Sequence, residues 1–148
     1  MIQRIQSVFI LISVLMLSSL FGLRLADITL KDEIYEFLIT GIFKNGEKVY
    51  DGLPLVLFLS LIIILHVYVL FGYKNRIRQI RVLSFTILVL IGSYALLFYF
   101  AYAGFDGATA SFRIPLLFPF FAAVLDYLAI RNIGKDEALI RSINRLRP

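Results

Sequence analysis

The sequence predicts an all-α membrane protein: a bundle of four transmembrane helices with a small extracytoplasmic β-hairpin and a cytoplasmic amphipathic tail helix. Three observations lead there. Of the 148 residues, 60% are hydrophobic and only 17% charged, against roughly 45–50% and 25% in a soluble domain. The apolar residues gather into four long runs. The Lys and Arg residues fall between and beside those runs rather than across them.

A helix needs about 20 apolar residues to cross a hydrocarbon core about 30 Å thick. The runs 7–23, 53–73, 82–103 and 114–133 are taken as spans of one domain covering residues 1–148. Helix is the expected form, because an open strand in lipid leaves backbone groups unpaired. The first run has no convincing small-residue cleavage site and reads as a retained signal anchor.

Charge sets the orientation. Arg4 precedes the first run, and Lys74, Arg76, Arg78 and Arg81 fill the loop between the second and third. Arg131, Lys135, Arg141, Arg145 and Arg147 end the chain, which makes ten basic residues on one side. Five lie on the other side, with seven acids. The Lys and Arg bias places the ten in the cytoplasm, and with them both termini.

The segment 24–52 is rich in β-branched and aromatic residues. Asn45-Gly46 between "GIF" and "EKVY" signals a hairpin, and residues 28–35 are expected as a third strand. Pro54 and Pro115 suit first helical turns. Pro119 lies one turn inside the fourth run and is expected to kink it. Gly134 is expected to break or bend the helix there. In the tail beyond, Leu139, Ile143 and Leu146 form an apolar stripe beside Arg141 and Arg145, the pattern of a helix lying on anionic lipid. Tyr94, Tyr99 and Tyr102 read as interfacial anchors.

Two ionisable residues stand out well inside the runs. His66 and Asp126 each lie seven residues before the cytoplasmic end of their span, so at similar depth. An ionisable group in lipid needs a partner. They are expected to pair across the interior, as a polar clamp between helices ahead of a proton relay.

The chain has no cysteine, which excludes disulfides, thiolate metal sites and cysteine nucleophiles. No metal-ligand cluster, phosphate loop or nucleophile elbow is present in the sequence. An enzyme is not expected, nor a cofactor or a metal. Nucleic acid is not an expected partner, because the basic charge comes without a recognition motif or stacking aromatics.

The opening "MIQRIQSVFILI" and the closing "RNIGKDEALIRSINRLRP" resemble an uncharacterised family of Bacteroidota membrane proteins, domain of unknown function family 4293. The resemblance implies a four-span protein of a Gram-negative inner (cytoplasmic) membrane and carries over no catalytic residue. Both motifs lie on the cytoplasmic side, where Arg4 and Gln6 are expected to meet Asp136, Glu137 or the tail.

The expected function is that of a non-enzymatic accessory or scaffold subunit of a larger inner-membrane assembly. Arg4, the basic loop and the tail form its platform for a membrane-protein partner, a second copy or lipid. One alternative is a small oligomeric transporter or proton-coupled permease using His66 and Asp126. Another is an anionic-lipid-interacting protein using the Pro119 kink and the basic rim.

Overall fold

The computed structural model describes residues 3–72, 75–102 and 107–145, without the side chains of residues 3, 4, 141 and 143–145. The all-α expectation is corrected: four helices are joined by a five-stranded antiparallel sheet. The order is α1 (Gln3–Ser19), β1 (Arg24–Leu30), β2 (Glu33–Leu38), β3 (Gly41–Lys44), β4 (Glu47–Asp51), α2 (Leu53–Phe71), α3 (Arg76–Tyr102), β5 (Thr109–Phe112), a 3-10 turn (Ile114–Leu117) and α4 (Phe118–Arg145).

Among the described residues three helices, not four, are long and apolar enough to cross a membrane. At 1.5 Å per residue, the 17 residues of α1 reach about 26 Å, short of a core about 30 Å thick. The expected span to Leu23 stops at Ser19. There Ser19 Oγ donates back to the Met16 carbonyl at 2.7 Å, the next three residues turn, and from Arg24 the backbone is taken up by β2 and β5.

The sheet runs β4-β3-β2-β1-β5. Asn45 and Gly46 both have positive φ, 50° and 87°, as a two-residue hairpin turn requires. The expected strand over 28–35 is two strands, because Lys31 and Asp32 also turn with φ of 50° and 64°. Asp tolerates this region and Lys seldom does, so composition did not mark the turn. Strand β5 comes from the distant segment before α4 and pairs Ala26 with Phe112 and Ile28 with Ala110. Gly41 (φ 145°) and Gly52 lie where a Cβ would collide with neighbouring backbone. They let the β3–β4 hairpin fold back onto the start of α2.

One face of the sheet closes the helix ends. Leu25, Ala26, Ile28, Phe37 and Ile42 share a buried cluster with Leu17, Leu20, Leu55, Leu59, Leu97 and Ala101. A second cluster toward the opposite end unites Ile10, Val69, Leu83, Ala129 and Ile133. The buried positions recur every three or four residues: Gln6, Ile10, Ser13, Leu17 and Leu20 on α1, and Leu55, Leu59, Ile62, His66 and Val69 on α2. On α3 they are Gln79, Leu83, Thr86, Leu90, Ser93, Leu97 and Ala101, and on α4 Ala122, Asp126, Ala129 and Ile133. This 3.5-residue period is that of knobs packed into holes.

Two helix-breaking expectations are also corrected. Pro119 is the second residue of α4, so its missing N–H falls among those with no intrahelical partner, and no mid-helix kink arises. Gly134 does not break α4, which runs on to Arg145; the tail helix is its continuation. One glycine costs about 1 kcal/mol in a helix interior. Against that, Ile133 is fully buried and Asp136 accepts a hydrogen bond from Gln6 at 2.6 Å.

Candidate functional site

Between the two apolar clusters lies a polar layer with one side chain from each helix: Ser13, His66, Thr86 and Asp126, all fully buried. Each sits one seam position from an apolar residue of a cluster: Ser13 beside Ile10 and Leu17, His66 beside Ile62 and Val69, Thr86 beside Leu83 and Leu90, Asp126 beside Ala122 and Ala129. The layer is thus walled by hydrocarbon above and below.

His66 and Asp126 are brought together. Nε2 of His66 lies 3.1 and 3.0 Å from the two carboxylate oxygens of Asp126. Nδ1 lies 2.8 Å from the Ile62 carbonyl, one turn back on the same helix. A carbonyl only accepts, so Nδ1 carries a hydrogen. Nε2 and a carboxylate oxygen do not approach so closely without a proton between them. The pair therefore shares one proton and is neutral as a unit, whichever partner holds it. Ser13 Oγ makes long contacts to Asp126 Oδ1 at 3.4 Å and to the Ala122 carbonyl at 3.5 Å. Thr86 turns inward on its own helix, donating to the Val82 carbonyl at 2.8 Å.

The layer can tie α1, α2 and α4 together at one depth and in one register. A Ser, a His and an Asp on three helices meet only when the helices are correctly rotated and aligned; one position of slip buries an unpaired carboxyl. Sequence reasoning found His66 and Asp126 by counting depth. It missed Thr86 and gave Ser13 no role. The signal that would have found both is the alternating three- and four-residue spacing of the seam.

A second device lies at the start of α4. The Tyr94 hydroxyl donates to the Leu116 carbonyl at 2.9 Å and accepts from the Phe120 N–H at 3.1 Å. In a continuous α-helix that N–H would bond that carbonyl directly. The hydroxyl is spliced into this hydrogen bond, where the 3-10 turn becomes α-helix beside Pro119. Tyr94, expected as a lipid-interface anchor, is instead partly buried and holds α3 to this joint.

The basic residues are dispersed by comparison. Arg76 is partly buried, and its Nη1 is shielded without a hydrogen-bond partner. Arg78, Arg81, Arg131 and Lys135 are exposed. Lys74 and Arg147 lie outside the described residues, as do the side chains of Arg4, Arg141 and Arg145. Gln6 meets Asp136 as expected at this end, and Gln79 donates to the Val69 carbonyl at 2.9 Å. The start of α1 and the last third of α4 therefore lie together, away from the sheet. Among the described residues no three His, Asp or Glu side chains form a metal-binding group.

The sheet carries its own ion pairs. Arg113 donates through Nε and Nη2 to Asp27 Oδ2 at 2.7 and 2.5 Å. Arg24 meets Glu36 at 2.8 Å and Lys44 meets Glu33 at 2.6 Å. The Lys44 hydrogen bond, assisted by one from Tyr35, holds the Glu33 carboxyl below the usual carboxylate range. The same bond raises the Lys44 ammonium.

A family model described as Domain of unknown function (DUF4293) matches residues 2–146. No curated protein matches the chain, and no solved structure does.

Proposed function

The chain belongs to the DUF4293 family, and from that premise we propose that it is a non-enzymatic integral membrane protein serving as an accessory or scaffold subunit of a larger membrane assembly. One observation carries the reading. His66 and Asp126 are the ionisable side chains buried among the helices of the described residues, and they are spent on each other with neither exposed at all. A relay needs further groups reaching both surfaces. This pair is walled by apolar clusters on both sides, which suits a clamp.

The working surfaces are then the two ends. The sheet faces one side of the membrane and the basic helix end the other. The bacterial inner membrane, with the basic end and both termini in the cytoplasm, is supported by the Lys and Arg bias. Three helices long and apolar enough to cross support membrane insertion itself. Docking at the basic end would use exposed Arg78, Arg81, Arg131 and Lys135 around the Gln6–Asp136 contact.

The test is purification of the protein, tagged at its native level, with companions identified by mass spectrometry, alongside proton flux in proteoliposomes. The scaffold reading expects a stoichiometric membrane partner, lost in the Arg78→Gln/Arg81→Gln double variant, and no flux. A homo-oligomer with proton flux that disappears in a folded Asp126→Asn variant would overturn it.

A further inference from the structure

Where the sheet meets the helices, a pocket of about 560 Å³ opens between the two connections that bring chain into the sheet and out of it. Gly22 and Arg24 line it from the α1–β1 connection and the start of β1, and Phe112, Arg113, Ile114 and Pro115 from the end of β5 and the start of the 3-10 turn. The volume is in the range of small-ligand sites. The lining is apolar apart from two guanidiniums.

Both arginines are oriented from outside the pocket. Asp27 takes Nε and Nη2 of Arg113, and Glu36 takes Nη1 of Arg24. Neither carboxylate is among the lining residues. Each guanidinium has five N–H donors, so both keep donors for an acceptor in the pocket. Two ion-paired guanidiniums lining one pocket suit an oxyanion with several acceptor oxygens, and phosphate above all.

The wall leads away from the arginines into hydrocarbon. Ile114, in the pocket wall, is 75% exposed and Leu117 is 49% exposed, both on the 3-10 turn that leads into α4. A free inorganic anion has no use for such a wall; an amphiphile with an anionic head does.

We propose that this pocket binds the phosphate headgroup of an anionic phospholipid. The phosphate sits between Arg24 and Arg113, and an acyl chain runs down over Ile114 and Leu117. The proposal rests on membrane insertion, which is checked separately by resistance of the protein to carbonate extraction. It does not depend on a protein partner. The site lies at the sheet end, opposite the basic end that the charge bias places in the cytoplasm.

Gly22 provides a clean variant. A Cβ there meets nothing within 4 Å, so Gly22→Leu is expected to add bulk at the pocket wall without a clash at Cβ, leaving both arginines and their acids unchanged. Arg24→Gln is the second variant, and Arg78→Gln/Arg81→Gln is the control at the other end. Native mass spectrometry of protein released from nanodiscs of phosphatidylcholine and phosphatidylglycerol counts the lipids retained. One phosphatidylglycerol is expected to stay on the wild type and on the Arg78→Gln/Arg81→Gln control. Its retention should fall at least about tenfold in Gly22→Leu and Arg24→Gln, at unchanged unfolding midpoint in Gly22→Leu. Retention unaffected by Gly22→Leu and by Arg24→Gln would overturn the site, as would loss confined to the control variant. Inorganic phosphate binding equally well with no lipid retained would show a free-anion site and overturn the lipid assignment.

Discussion

The helix interior and the sheet both set a basic side chain against a carboxyl group at hydrogen-bonding distance, and the two settings have very different consequences. His66 and Asp126 meet at 3.0 Å with neither side chain exposed. Lys44 and Glu33 meet at 2.6 Å with 35% and 50% of their side chains exposed. Unit charges 4 Å apart attract by about 1 kcal/mol in water and by about 4 at an effective dielectric of 20. Desolvation grows in the same direction, so the buried pair is costly to break rather than strongly stabilising to have. The sheet pairs trade one hydrated state for another and are worth little. The buried pair specifies register; the surface pairs decorate a fold already made by backbone pairing and the apolar face beneath.

Breaking the interior should therefore show first. His66→Leu leaves the Asp126 carboxyl buried without its main partner and is expected to destabilise the protein by about 3–5 kcal/mol, read by denaturant unfolding in detergent. The double variant His66→Leu/Asp126→Leu should recover most of that loss. Equal destabilisation in single and double variants would show that the layer contributes packing only.

Tyr94→Phe comes next. It removes the hydroxyl between the Leu116 carbonyl and the Phe120 N–H and is expected to cost about 1–3 kcal/mol. Hydrogen exchange should quicken at the start of α4 and not at its middle. An unchanged exchange rate at Phe120 would mean that the helix closes its own hydrogen bond once the hydroxyl is gone.

On the sheet side, Gly41→Ala places a Cβ against the Tyr50 carbonyl at a φ of 145°. Strain of this kind costs on the order of 1–3 kcal/mol. It should loosen β3 and β4 in hydrogen exchange while the helices keep their protection. Loss of protection in both regions together would show that sheet and helices unfold as one unit.

The smallest effect belongs to Lys44 and Glu33. Glu33 is held below the ordinary carboxylate range, first by its hydrogen bond from Lys44. Its contribution is fully present above the ordinary carboxylate pKa and disappears as pH falls through the lowered value. Lys44 is raised by the same bond, so its contribution is full below the ordinary lysine pKa and is lost as pH rises through the raised one. Lys44→Met should return the Glu33 titration, followed by carboxyl NMR, toward the ordinary range, with little change in unfolding midpoint. A Glu33 titration unmoved by Lys44→Met would assign the shift to Tyr35.

Some of the architecture could be read one residue at a time. The apolar runs marked α2, α3 and α4 because apolar character is a property of composition summed over a helix length. Asn45-Gly46 marked its turn because both residues accept positive φ. His66 and Asp126 were legible because an ionisable group inside an apolar run needs a partner, and equal depth made each the other's best choice. The Lys31-Asp32 turn, the four residues of β5 and the role of Tyr94 left no comparable mark. Each depends on a partner far away in the chain: β5 is a strand because β1 offers it an edge, and Tyr94 completes a hydrogen bond 22 and 26 residues on.

Composition and charge along the chain are thus enough to mark which segments are apolar over a helix length, which end of the helices is basic, and that two ionisable groups share one depth. The tertiary structure decided that α1 stops at Ser19, that the outer segments form one five-stranded sheet, and that α4 runs unbroken past Gly134. The division follows from the forces. Hydrophobic burial and charge bias sum over neighbouring residues, whereas strand pairing, helix termination and hydrogen-bond completion are settled by what the rest of the fold brings alongside.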